Sequence, residues 1–251
     1  MSDAARIDRG SDPALLRCER LQVGHSGRAL VPALDLELRA GEFVAVVGRN
    51  GTGKTTWFRT VLGLLAPVSG RVIARPGLRL SYVPQRIQLD PLYPALARDV
   101  VAMGVERGLS FISPRLREPA LVHGALERAG AMAYAERPFR SLSEGQKQRV
   151  LLARLCVAAP ELALLDEPTS AMDAVAEREA LSMIDGLRRE QATSVLVVSH
   201  YLGLVREFAE RVVLFDSACE TVLVGPTDEV LAHAVFQRNY PRPGGDACET
   251  H

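Results

Sequence analysis

Gly48-Arg49-Asn50-Gly51-Thr52-Gly53-Lys54-Thr55 fits the pattern G-x-x-x-x-G-K-S/T, and the fold is read outward from it. Glycines at these positions let successive backbone N–H groups turn inward around a phosphate. Before the turn, Phe43–Val47 is a continuous apolar run that reads as a buried strand. After it, Trp57, Phe58, Val61, Leu62 and Leu65 recur at helical spacing, which predicts a helix over Lys54–Leu65. A loop that joins a strand to a helix N-terminus adds the partial positive charge of the helix end to its inward amides. Lys54 can then neutralise the β- and γ-phosphate oxygens, and Thr55 can offer its hydroxyl to Mg²⁺. Gly48, Asn50, Gly51, Gly53, Lys54, Thr55 and Thr56 are therefore the candidate residues for holding a nucleoside triphosphate. A dinucleotide turn fits less well, because Thr56 stands where the third glycine of G-x-G-x-x-G would follow Gly51 and Gly53.

Upstream, Leu15–Val23 and Leu34–Leu38 read as strands, and downstream so do Arg71–Ala74 and Leu78–Val83. Between Pro84 and about Pro160 the pattern turns helical, with Ala97–Met103, Arg117–Ala129 and Glu144–Ala158 forming an inserted lobe. Strand and helix then alternate: Leu162–Leu165, Ala174–Glu190, Ser194–Ser199 and Leu202–Glu210. Such alternation implies an α/β fold with a mostly parallel sheet. Arg211–Phe215 and Glu220–Val224 read as a closing hairpin or adjacent edge strands, and Asp228–Val235 as a last helix before a Pro-Arg-Pro-Gly-Gly tail.

Leu162-Ala163-Leu164-Leu165-Asp166-Glu167 places two carboxylates where a buried strand emerges, the edge at which α/β sheets bind ligands. Alone, Asp-Glu after an apolar strand is commonly a solvated loop or a helix start. With a phosphate loop upstream, Asp166 becomes a candidate Mg²⁺ ligand and Glu167 a candidate to polarise the water that attacks a γ-phosphate.

Composition narrows the classes. The 251 residues are 47% apolar and 24% charged, ordinary for one globular domain with a good core. Lys plus Arg equals Asp plus Glu at 30 each, so no basic face for nucleic acid is expected. Cys18, Cys156, Cys219 and Cys248 are scattered without a Cys-x-x-Cys pair, which fits reduced thiols in the cytosol. Met1–Pro13 is polar, so no signal peptide is expected, and no apolar run reaches the roughly 20 residues of a membrane span.

Leu142-Ser143-Glu144-Gly145-Gln146-Lys147-Gln148-Arg149 resembles the signature sequence of the ATP-binding-cassette ATPases and precedes Asp166-Glu167 by a short helix, as in that family. The resemblance spans nearly the whole chain. Tyr82-Val83-Pro84-Gln85 is similar to the family's glutamine loop, Ser170-Ala171-Met172-Asp173 to its D-loop, and Ser199-His200 to its switch histidine. It implies a P-loop NTPase core with a mostly parallel sheet, an N-terminal antiparallel β subdomain and an inserted α-helical subdomain. One domain would cover residues 12–238, with the helical insert at about 86–160 and a flexible tail at 239–251. It also implies ATP hydrolysis with Mg²⁺ in a head-to-tail homodimer, where Ser143, Gly145 and Gln146 of one copy cover the triphosphate held by the other. Glu167, Gln85 and His200 would carry the chemistry, with Gln85 touching Mg²⁺, His200 sensing the γ-phosphate and Asp173 in the D-loop. The expected partners are integral-membrane permease subunits at the cytoplasmic face of the membrane, together with a substrate-binding protein.

Ser143 with Gln146 three residues on is in addition a capping-box pattern, so a helix should open there and aim its N–H groups at an anion. Two positions depart from the family. Glu144 stands where glycine is usual; it can complement the helix dipole and pair with Lys147, pointing away from ATP, or it can repel ATP. His25 stands where many members carry an aromatic that stacks on adenine, and in Gly24-His25-Ser26-Gly27 it reads equally as a loop histidine.

Tyr82–Gln85, Leu89-Asp90, Pro94 and Val100-Val101-Ala102-Met103-Gly104 resemble the zinc and manganese importer branch, which makes divalent-metal import the expected task. No His/Cys/Asp cluster offers a cargo site, and Cys248 with His251 reads as incidental. The alternatives are a cassette ATPase not coupled to transport, which commonly carries two cassettes or an inserted arm, and the motor of an exporter.

Overall fold

In the computed structural model, residues 14–25, 27–85, 95–105, 119–216 and 220–240 are described. The chain begins with β1 (Leu16–Gln22), a short ribbon of β2 (Gly24–His25) and β3 (Arg28–Ala29), and β4 (Leu34–Leu38). β5 (Phe43–Gly48) leads through the phosphate loop into α1 (Lys54–Val61), and β6 (Ser69–Ala74) and β7 (Leu80–Val83) follow. The helical lobe contributes α2 (Ala97–Ala102), α3 (Pro119–Arg128) and α4 (Glu144–Ala158). β8 (Leu162–Asp166), α5 (Ala174–Gln191), β9 (Ser194–Val198), α6 (Leu202–Phe208), β10 (Arg211–Asp216), β11 (Thr221–Pro226), α7 (Thr227–Ala232) and α8 (Ala234–Asn239) complete the order.

The strands sort into two larger sheets. A six-stranded sheet runs β11-β10-β5-β9-β8-β7, parallel throughout except for the β10–β11 hairpin at its edge. A three-stranded antiparallel sheet, β4-β1-β6, forms the N-terminal subdomain. Apolar residues on successive positions of β5 explain how both sheets fit together. Val44 and Val46 face a core with Trp57, Phe58, Leu16 and Leu36, whereas Phe43, Ala45 and Val47 face a second core with α4 and α5. A strand buried on both faces needs the unbroken apolar run seen in the sequence, since its side chains alternate between faces.

Three departures from the sequence expectation have a local physical cause. α1 stops at Val61, not Leu65, because Gly63 takes φ +72° and ends the helix: Gly63 N–H donates to Thr60 O at 3.0 Å and Leu64 N–H to Arg59 O at 2.8 Å. The single helix expected over Asp228–Val235 is two, broken at His233, whose extended backbone lets Nδ1 accept from Val235 N at 3.3 Å. Asn239 closes α8 and Tyr240 packs on Phe236 with ring centroids 4.9 Å apart, so ordered packing runs two residues into the segment read as a tail. Residues 241–251, Arg117 at the start of the third expected helix, and Leu89, Asp90 and Pro94 lie outside the described residues.

Trp57 anchors α1 to the sheet. It is fully buried, with ring centroids 5.7 Å from Phe58 and 5.8 Å from Phe215. Truncating a large buried aromatic leaves a cavity that costs about 3–5 kcal/mol. Trp57→Ala is expected to lower unfolding stability by that order, and Trp57→Phe by less, in urea titrations followed by far-UV circular dichroism.

Candidate functional site

The phosphate loop is shaped by a backbone approach that only glycine permits. A Cβ on Gly48 would stand 2.6 Å from Phe215 O of the neighbouring strand. Gly53, the residue before α1, sits at φ +95°, where a side chain would be strained. Lys54 is 5% exposed and folds back over its own loop, its Nζ donating to Gly48 O at 2.7 Å and Arg49 O at 2.9 Å. Thr52 Oγ1 donates to the same Arg49 carbonyl at 2.9 Å. Burial pushes the Lys54 ammonium below its ordinary pKa, while the Glu167 and Asp166 carboxylates pull it back up. A buried cation beside the free amides of a helix start is a binding environment for an anion.

The acidic half of the site comes from β8. Asp166 is buried and accepts hydrogen bonds from Thr55 and, at 3.4 Å, from the Tyr82 hydroxyl. Burial raises its pKa first and Glu167's charge raises it further, while Thr55, Tyr82 and Lys54 pull it down. Tyr82 is itself pushed up to about 12, by burial and then by the charge of Asp166. Glu167 follows at φ +48°, a left-handed conformation that a non-glycine residue rarely adopts. Its two oxygens are held separately: Gln85 Nε2 donates to Oε2 at 2.5 Å, and His200 Nε2 lies 2.7 Å from Oε1.

A cavity of about 500 Å³ brings His25, Asn50, Gly51, Gly53, Lys54, Thr55, Thr56, Gln85 and Glu167 together. Gly48, Asp166 and His200 do not line it, but each bonds a residue that does: Lys54, Thr55 and Glu167 respectively. His25 reaches Thr56, with Nε2 3.4 Å from Oγ1. Sequence reasoning did not assign Tyr82 to Asp166; that contact follows from the pairing of β7 beside β8, which a linear reading does not contain.

Ser143, Gly145 and Gln146 do not line this cavity. They open α4, and the capping box forms in full: Gln146 N donates to Ser143 Oγ at 3.3 Å and Ser143 N to Gln146 Oε1 at 3.1 Å. Glu144 turns to Lys147, Oε1 to Nζ 2.8 Å, so its charge is paired on the helix surface. Asp173 caps α5, its Oδ1 accepting from Val175 N at 3.1 Å and Ala176 N at 2.9 Å. Among the described residues no group of three or more His, Cys, Asp or Glu side chains could hold a metal ion, and no helix is long and apolar enough to cross a membrane. Cys248 and His251 lie outside the described residues.

A glycine-rich turn between a buried parallel strand and a helix, with a lysine inside it and a carboxylate pair at the next-but-one strand end, defines a P-loop nucleotide-binding ATPase. Residues 31–170 match the ABC transporter family model. The chain is 40% identical over 200 residues to the zinc import ATP-binding protein ZnuC of Pseudomonas entomophila, covering 80% of this chain and 74% of that one. The ZnuC of Cereibacter sphaeroides is 39% identical over 199 residues, covering 79% and 78%. A solved inward-facing metal-chelate type ABC transporter matches with a TM-score of 0.75 and 27% identity, over 89% of this chain and 88% of that one. The chain belongs to the ABC transporter family, as an ATP-binding subunit whose ATP hydrolysis is coupled to transport.

The raised pKa of Asp166 has a consequence for stability. A carboxyl whose pKa is higher folded than unfolded makes the folded state lose stability as pH rises through that interval, and the loss persists at neutral pH. Asp166→Asn keeps a side chain that Thr55 and Tyr82 can bond. It is expected to raise the Tm of the nucleotide-free protein at pH 7, with the gain shrinking as pH falls from the raised pKa of Asp166 toward the ordinary carboxyl value of 3.8, while Mg²⁺-dependent hydrolysis is lost; differential scanning fluorimetry and a phosphate-release assay read the two effects.

Proposed function

We propose that this chain is the motor of a divalent-metal importer, with zinc the foremost cargo, and that it hydrolyses Mg-ATP in a head-to-tail homodimer. The observation that carries the ATPase chemistry is the Glu167 carboxylate held between Gln85 and His200 at the mouth of the phosphate-loop cavity. The cargo reading is supported by relatives whose names specify zinc import and by a structural neighbour of metal-chelate type.

The phosphate-loop amides and Lys54 bind the β- and γ-phosphates, and Asn50, Thr56 and His25 line the cavity around the rest of the nucleotide. Thr55, Asp166 and Gln85 supply hard oxygen donors, a set that fits Mg²⁺. Held by these residues, Mg²⁺ would supply positive charge against the charge that develops on the phosphate oxygens. Glu167 accepts the proton of the attacking water, His200 fixes the carboxylate that does so, and the signature end of α4 in a second copy covers the triphosphate. Pairing of Glu144 with Lys147 leaves that end without an uncompensated negative charge. The chain docks on permease subunits at the cytoplasmic face of the membrane, and a substrate-binding protein delivers the metal.

A positioned general base contributes about 10²–10⁴ in rate. Glu167→Gln is therefore expected to lower hydrolysis by that order while Mg-ATP affinity, read by calorimetry, stays within about two-fold. Lys54→Ala loses one charge-assisted contact set, about 1.5–3 kcal/mol, and is expected to weaken Mg-ATP binding roughly 10–100-fold. For cargo, radioactive zinc accumulation in a strain deleted for this gene is restored by the wild-type chain and not by either variant. Restoration of manganese uptake alone, or of no metal uptake, contradicts zinc.

A further inference from the structure

Two buried polar side chains hold the segment after Glu167, and the reaction as described uses neither. Gln148 on α4 is 3% exposed. Its Nε2 donates to Ser170 Oγ at 3.3 Å and its Oε1 accepts from Ala171 N at 3.3 Å. One turn earlier, Gly145 runs so close to the same segment that an added Cβ would stand 3.0 Å from Ala171 O. From the other side Glu177 of α5, fully buried, accepts the Thr169 hydroxyl at 2.7 Å. The segment is tied back to the acidic site by its own backbone, Ser170 N donating to Glu167 O at 3.2 Å.

Burying a carboxamide is unfavourable unless its polar atoms are bonded, and an apolar side chain would fill the same space without that requirement. Both polar atoms of Gln148 are directed at one loop, so its effect is to fix Ser170 and Ala171 in register with the start of α4. A displacement of α4 then carries Ala171 with it, and through Ser170 N the backbone of Glu167.

We propose that Gln148 is a positioning residue for ATP hydrolysis, locking the signature end of α4 to Ser170–Ala171 so that triphosphate arriving at Ser143–Gln146 is felt at this chain's own Glu167. The two ATP sites of a dimer are thereby coupled. This rests on the reading that α4 covers a second copy's nucleotide and that Glu167 polarises the water.

The test uses the full chain, with phosphate release followed against ATP concentration at fixed Mg²⁺, Mg-ATP affinity by calorimetry, and Tm. Gln148→Met keeps length and volume but offers no such donor and acceptor pair; Ser170→Ala removes one bond at an exposed position. Gln148→Met is expected to lower kcat about ten-fold and to bring the Hill coefficient toward one, with Mg-ATP affinity within about two-fold. Ser170→Ala gives a smaller change in the same direction, and the double variant is no worse than Gln148→Met, as two members of one contact require. Unchanged kcat and Hill coefficient, a weakening of ATP affinity that accounts for the whole loss, or a wild-type Hill coefficient of one overturns the proposal. If Gln148→Met does not fold, Ser170→Ala decides: normal cooperativity in that variant overturns it as well. A wild-type chain that fails to bind Mg-ATP, or that keeps full activity as Lys54→Ala, sinks the underlying reading instead.

Discussion

The parallel pairing of β9 with both β5 and β8 is the constraint on which the rest depends. Val198 lies opposite Val46 on one side and Asp166 on the other, so three strands end at the same level. Parallel strands all present their C-terminal ends at one edge, and loops leaving that edge are where α/β sheets place ligands. The phosphate loop leaves β5, Glu167 leaves β8, and Ser199-His200 leaves β9. Ser199 N donates to Val46 O at 3.2 Å, extending the ladder by one residue and setting the point from which His200 reaches Glu167. A slip of one residue would turn side chains to the opposite face and separate these groups.

Bringing these ends together concentrates charge in a poorly solvated place, and the arrangement offsets that in two ways. Lys54 lowers the Asp166 pKa that burial raises, and the charges of Glu167 and Asp166 raise the Lys54 pKa that burial lowers. Neutral dipoles supply the remainder: loop carbonyls for Lys54, hydroxyls of Thr55 and Tyr82 for Asp166, an amide for Glu167. The same preorganised dipoles suit a bound triphosphate with its cation, because little reorganisation is needed when charge shifts between them.

The sequence made legible what depends on local chemistry. The phosphate loop, the Ser143–Gln146 capping box and the fully apolar strands are patterns within a dozen residues, and each forms where it was read. What escaped depends on placement. Gly63 was one small residue inside a helical spacing, yet its left-handed backbone ends α1 and leaves Leu64 70% exposed. His233 showed no breaker character, but its ring can accept the Val235 amide and restart a helix. Tyr82, Gln148 and Glu177 became visible as site residues only once β7, α4 and α5 had been set beside the segment running from Asp166 to Ala171.

Glu167 shows how local strain and distant packing meet. A left-handed backbone at a non-glycine residue costs of order 1–3 kcal/mol and persists only where surroundings over-determine it. Here the surroundings are specific: Ser170 N and Met172 N bond back onto the 167 and 169 carbonyls, at 3.2 and 2.9 Å, closing tight turns. Asp173 then starts α5 and thereby delivers Glu177 to Thr169 from below. Glu177 lacks a partner for its Oε2, and burial raises its pKa while the Thr169 hydroxyl lowers it. A half-satisfied buried acid is unfavourable in itself, so it is consistent with a turn whose geometry, rather than its stability, is what the fold maintains. The strained carboxylate is therefore aimed from both ends, by Gln85 and His200 at its oxygens and by this braced turn at its backbone.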